Sequence, residues 1–152
     1  MKRFKIVLVL LTVSFFLSCD TDRDDIELST AEANELNLIV QNGEWHISQF
    51  TLNNVENTAT YSDYIFVFEE ANNLTASALT DEVNGTWRIS NDSGSEFDSY
   101  NDVDFNIFFS STGKLGKLTK NYDVISATNN EINLILEQSP NGNTARLTFS
   151  KN

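Results

Sequence analysis

The sequence predicts an all-β domain, an eight-stranded antiparallel up-and-down barrel with a short N-terminal helix. Three observations carry this prediction. From Trp45 onward, apolar residues recur with a period of two in short runs, the pattern of strands with one buried face. The pairs Asn72-Asn73, Asn84-Gly85, Asn129-Asn130 and Asn141-Gly142 stand between consecutive runs, and Asn and Gly tolerate the positive φ of tight hairpins. The gaps are short, so sequential neighbours pair, and an eight-stranded meander removes its two exposed edges by closing on itself. An open sandwich with Greek-key connections is the structural alternative, and it needs longer crossovers than most of these gaps supply.

Residues 1–18 stand apart from the domain. Lys2, Arg3 and Lys5 precede an apolar run from Ile6 to Leu17, followed by Ser18-Cys19. Twelve residues at helical rise span about 18 Å, short of the roughly 30 Å of a bilayer core, so the run reads as a secretion signal rather than a membrane-spanning helix. A small residue directly before the chain's single cysteine resembles a lipobox, with Phe16 where Leu is more usual. That resemblance implies cleavage before Cys19 and a thioether-linked diacylglycerol on its sulfur, usually with a third acyl chain. At about 0.8 kcal/mol per buried methylene, two or three chains anchor a protein stably where one does not.

Residues 19–28 then form the lipidated cysteine and an acidic tether, Asp20 to Glu27, with too little apolar surface to fold alone. The tether resembles the acidic export signal of surface lipoproteins of the Bacteroidota; a solvated spacer facing the periplasm is the plainer reading. The expected location is the outer membrane, lipid-anchored, on the periplasmic face or the cell surface. Three of the ten Lys and Arg lie in the signal, which leaves seven against twenty-two Asp and Glu, a net charge of −15. So acidic a surface repels phosphate backbones and argues against nucleic acid as a partner. The cluster Lys114, Lys117, Lys120 is the local exception and reads as a solvated loop face. With no second cysteine, stability must come from apolar burial, and residues 29–152 suffice for one core.

Within that domain the first element is a helix from Thr30 to Gln41. Ser29 and Glu32 fit a capping box, Leu36, Ile39 and Val40 share one stripe, and Gly43 suits a left-handed cap. The strands follow in eight groups: Trp45 with Ile47; Tyr64, Phe66 and Phe68; Leu74, Ala76 and Ala78; Trp87 with Ile89; Val103, Phe105, Ile107 and Phe109; Tyr122 with Val124; Ile132, Leu134 and Leu136; Ala145, Leu147 and Phe149. Gly-x-Trp-x-Ile-Ser occurs twice, from Gly43 and from Gly85, which suggests either two four-stranded halves or simply a good strand opening used twice.

Gly43-Glu44-Trp45, directly after a short helix and opening the first strand, looks like the Gly-x-Trp motif of lipocalins. The order lipobox, acidic tether, helix, Gly-x-Trp, Tyr-x-Phe-x-Phe, Gly-Thr-Trp and Asp-x-Asp-Phe-x-Ile-x-Phe resembles the lipocalin-like lipoproteins of flavobacteria over nearly the whole chain. The resemblance implies that Trp45 closes the barrel floor and that a basic residue near the end of the last strand packs across it. Arg146 offers the better planar stacking group and joins Gly43 and Trp45 as a floor residue; Lys151, which shares the parity of Leu147 and Phe149, is the alternative. The domain lacks the later strand motifs and the disulfide of longer lipocalins.

The inventory of reactive groups argues against an enzyme. With Cys19 committed to lipid and His46 the sole histidine, Cys-His catalysis and His-Glu-x-x-His metal sites are unavailable, and no Gly-x-Ser-x-Gly elbow is present. Carboxylates remain: Asp102 and Asp104 share one strand face, and Asp92, Glu96 and Asp98 crowd the loop from Asn91 to Tyr100 without the register of an EF-hand. No cofactor and no metal is expected. The leading expectation is a monomeric, non-catalytic module that binds a small hydrophobic ligand in its barrel through Tyr64, Phe66, Trp87, Phe105 and Ile107. The alternative is a surface interaction module, with a protein or glycan partner, whose barrel is filled by its own side chains. Eight strands enclose space for side chains or for one small ligand, so composition does not choose between them.

Overall fold

The computed structural model describes the backbone of residues 21–90, 103–137 and 139–152, and the side chains within these from residue 31 onward. The signal, Cys19, and Asp92, Glu96, Asp98 and Asp102 lie outside the described residues.

Helix α1 spans Thr21–Gln41, so it starts well ahead of the expected Thr30, and Ser29 is an interior position rather than a cap. The acidic segment read as a flexible tether is helical from Thr21 on. It contains neither Gly nor Pro, and once the packed turns are fixed, propagation adds one hydrogen bond for each residue ordered. The expected stripe is present: Leu36 and Val40 are buried with Ala33, Ile39 is half-buried, and Leu38 faces solvent. At the far end Gly43 adopts φ +100°, a left-handed conformation that halts the helix and turns the chain into the first strand.

Nine strands follow: β1 (Glu44–Leu52), β2 (Val55–Glu56), β3 (Ile65–Phe68), β4 (Asn73–Ala78), β5 (Asp81–Ser90), β6 (Asp104–Phe108), β7 (Lys120–Ala127), β8 (Glu131–Leu136) and β9 (Ala145–Ser150). Apart from the two-residue β2, these are the eight predicted runs. β1 pairs antiparallel with β3, each later strand pairs with its predecessor, and β1 also pairs with β9 along His46–Leu52, which closes the barrel. A bulge between Ile47 and Gln49 resets the side-chain parity, so Trp45 and Ile47 point inward on one side of it and Phe50 on the other.

Asn84-Gly85 is not a turn. Both residues lie inside β5, paired with Thr75 and Leu74, and the β4–β5 hairpin turns at Leu79-Thr80, where Leu79 is fully exposed. Glycine is needed at 85 for space: a Cβ there would stand 2.5 Å from the Phe108 carbonyl oxygen and 2.7 Å from the Phe109 ring. The hairpin that sequence inspection passed over is β1–β2, whose turn residues Asn53 and Asn54 take φ +52° and +62°, the left-handed pair of a type I′ turn.

The register gives the barrel two ends. At the lower end lie α1, the loop between β3 and β4, the β7–β8 turn and the C-terminus. The β1–β2 hairpin, the 3-10 turn Thr58–Tyr61, Leu79-Thr80 and the β6–β7 connection with its 3-10 turn Leu115–Leu118 lie at the upper end. No helix among the described residues is long and apolar enough to cross a membrane.

Candidate functional site

The barrel interior is where the sequence places a ligand, and all five expected residues do face inward. Tyr64 and Phe66 come from the β3 segment, Trp87 from β5, and Phe105 and Ile107 from β6, and none is more than 2 % exposed. The aromatic ones touch other rings of the core. Phe68 stands edge-on to Trp87 and Phe105, each with centroids 5.6 Å apart, and to Phe149 at 5.4 Å. Phe66 meets Phe149 edge-on at 5.4 Å and Tyr64 at 6.2 Å, while Trp87 stacks on Phe105 at 6.0 Å. Centroid separations of about 4.5–7 Å are those of rings in direct contact, so this aromatic chain runs through the interior as packed core.

Both ends of the barrel are covered. At the lower end the indole N–H of Trp45 donates to the Val40 carbonyl at 2.9 Å, tying the floor to α1. Lys151, not Arg146, supplies the cation: its Nζ lies 4.5 Å from the centre of the Trp45 ring. The reason is parity, because Arg146 alternates with buried Ala145 and Leu147 and therefore faces solvent on the outer wall. Gly43 belongs to the same floor, since a Cβ there would touch the Lys151 side chain at 3.6 Å.

At the upper end the cover comes from residues that strand reasoning missed. Tyr61 is buried, stands edge-on to Phe50 at 5.5 Å, and donates its hydroxyl to the Lys114 carbonyl at 2.7 Å. Leu115 and Leu118 are buried beside it, and the Tyr122 hydroxyl donates to the Leu118 carbonyl at 3.2 Å. Burial pushes the Tyr61 phenol up to about 12, and burial with the neighbouring Tyr61 pushes Tyr122 higher still. The signal was present as two leucines three residues apart in a lysine-rich loop, the spacing that puts side chains on one face of a 3-10 turn. Lys114 Nζ lies 4.4 Å from the Tyr64 ring centre, and the Tyr64 hydroxyl donates to Asp81.

No family model matches the chain, and no curated protein matches it. A solved structure of a DUF4847 family protein from Bacteroides vulgatus ATCC 8482 is similar at 18 % identity and TM-score 0.46, covering 77 % of this chain and 97 % of that one.

Among the described residues the outer surface offers further concavities, one of them at the upper ends of β8 and β9 lined by Ile135, Leu136, Thr144, Ala145 and Arg146. A cleft of 210 Å³ between α1 and the lower ends of β6 and β7 has Leu36, Ile39, Val103, Val124 and Ala127 as its walls and Glu32 and Glu35 at its lip. A polar groove over the β1 bulge is lined by Ser48, Gln49, Thr58, Asn133 and Thr148. Its donors are largely spent within the protein: the Thr148 hydroxyl donates to Asn133 at 2.9 Å, and the Ser48 and Ser150 hydroxyls share a 2.7 Å bond. His46 lies on the outer face of β1 with Nε2 3.0 Å from the Asn152 side-chain nitrogen. Asp104 accepts from the Asn121 side-chain amide at 3.1 Å on the outer face of β6. Among the described residues no group of three or more His, Cys, Asp or Glu is arranged to hold a metal ion.

Proposed function

We propose that this protein is a non-catalytic interaction module, held on the outer membrane by lipid on Cys19, whose barrel is filled by its own side chains and whose recognition surfaces lie outside it. The observation that carries the reading is the contact of Phe66, Phe68, Trp87, Phe105 and Phe149 with one another, under covers formed by α1 below and by Tyr61, Leu115 and Leu118 above. A carrier needs room where these rings stand. The membrane part of the reading is supported by Ser18-Cys19 at the end of the apolar run.

Substitution Phe66→Ala tests the filled interior. In a packed core it removes a large side chain and leaves a void, costing about 3–5 kcal/mol. In a ligand chamber the same change enlarges space already open and costs far less. Thermal unfolding of the purified protein, wild type against variant, should show the large loss, and a hydrophobic fluorescent probe should light up in the variant alone. A wild type that already takes up the probe, with a variant of unchanged stability, would replace this reading with a hydrophobic carrier.

A further inference from the structure

Against a net charge of −15 after the signal, three of the seven remaining Lys and Arg fall within residues 114–120, and no Asp or Glu occurs from 105 to 122. The fold lays this run across the upper end of the barrel. Tyr61 holds the Lys114 backbone through its hydroxyl, and the Lys114 ammonium sits against the Tyr64 ring, over the rim. Lys117 follows one 3-10 turn later, its N–H donating to the Lys114 carbonyl at 3.1 Å, and side chains three apart in such a turn stand one above the other. Lys120 opens β7 opposite buried Ile107 and in step with buried Tyr122, so it points toward the interior side of the rim.

Lys120 is half-buried, and among the described residues no carboxylate pairs with it. Burial holds its amine below the ordinary lysine range. An ammonium drawn partly out of water without a counter-charge raises the free energy of the fold, and an incoming anion would relieve that cost. The preceding turn adds neutral donors. Ser110 and Thr112 are exposed, and the turn is tight: Gly113 N–H donates to Ser111 Oγ at 3.0 Å, and a Cβ at Gly116 would stand 1.9 Å from the Ser111 carbonyl oxygen. Asp81 stands on the same side of the rim as Lys114, but its carboxylate is engaged by the Tyr64 hydroxyl, on the ring that the Lys114 ammonium meets.

We propose that Lys114, Lys117 and Lys120, with the hydroxyls of the turn before them, form a binding site for a phosphate-type oxyanion at the upper rim. The site rests on the reading that recognition lies outside the barrel, but it fails separately from the filled interior, which Phe66→Ala tests. The three lysines fall within seven residues of a chain that is otherwise acidic, which favours a monoester or inorganic phosphate over an extended polyanion that the acidic remainder of the surface would repel.

The test is a titration of the full chain in neutral detergent micelles, followed by the backbone amide resonances, first with inorganic phosphate and then with dihexanoyl phosphatidic acid and dihexanoyl phosphatidylcholine. The expected result is saturable shifts confined to residues 110–120 and weakened by added sodium chloride. Lys120→Met should weaken binding by roughly fivefold or more, as befits loss of a charge-assisted contact. Lys120→Arg should retain binding, and Arg146→Gln, the same charge change on the outer wall, should leave it unaltered. Binding of inorganic phosphate assigns a free oxyanion; binding of the phosphatidic acid alone assigns a lipid headgroup. Shifts absent with both, or losses equal in Lys120→Met and Arg146→Gln, would overturn the site.

Discussion

Two glycines that open the same short motif do different work. Gly43 is required for its backbone, at φ +100°, and Gly85 for the closeness of Phe108 and Phe109. The echo Gly-x-Trp-x-Ile-Ser therefore joins unlike positions, although both indoles do donate at the lower end, Trp45 to Val40 and Trp87 to the Glu69 carbonyl at 3.0 Å. Gly85→Ala must push backbone against backbone, and an overpacked site of this kind costs about 1–3 kcal/mol, to be read as a lowered denaturation midpoint with an unchanged slope. The floor cation makes a second prediction. Lys151→Met, which keeps the stem and removes the charge, should destabilise the fold by about 0.5–2 kcal/mol, whereas Arg146→Gln should stay within about 0.5 kcal/mol of wild type. At this scale the sequence was legible wherever parity decides, as for Tyr64, Phe66, Trp87, Phe105 and Ile107. It misled where chemical suitability stood in for parity, because Arg stacks better than Lys in general but Arg146 faces the wrong side of β9.

Among the elements, the alternating runs read as strands because each has one face in the core, and all eight are present. Turns were less legible. Asn129-Asn130 and Asn141-Gly142 do connect strands, and Asn72 takes φ +64° in the β3–β4 connection, but Leu79-Thr80 carries none of the residues that advertise a hairpin. There the long β4–β5 ladder and its six residue pairs fix the register, and the turn has only to follow. The upper cover was invisible to period counting because it is built from 3-10 turns of four residues each, too short for any period to show. It carries its own pH dependence. Tyr61 and Tyr122 have phenols raised above the ordinary value of about 10, so the folded state favours their neutral forms. Their contribution to stability is intact below that value and is lost as pH rises through it toward about 12, where the unfolded chain ionises and the folded one resists. Unfolding in alkali should accordingly be cooperative with phenol ionisation seen by ultraviolet absorbance, and Tyr61→Phe should move the alkaline midpoint upward relative to the neutral-pH stability of the same variant.

For the molecule as a whole, the closed barrel followed from short gaps and the need to remove two edges, an argument sequence supports well. Whether the barrel is hollow did not follow, since that depends on how rings from opposite walls meet. Phe68 on β3 meets Phe105 on β6 inside the barrel, and Phe149 on β9 meets Phe66 and Phe68 over the intervening β1, the latter contacts between residues some eighty positions apart that no local pattern announces. The filled core is the part of the account that the rings themselves carry; the anchor on Cys19 and the basic rim are proposals, and with them the protein would be a small, acidic, membrane-held module that meets its partners from outside. Native mass spectrometry of the protein purified gently from its own cells tests the central claim most directly. A filled barrel predicts that no small apolar molecule accompanies the polypeptide. A small apolar molecule that co-purifies, leaves on denaturation, and is excluded by Phe105→Trp without unfolding would contradict it.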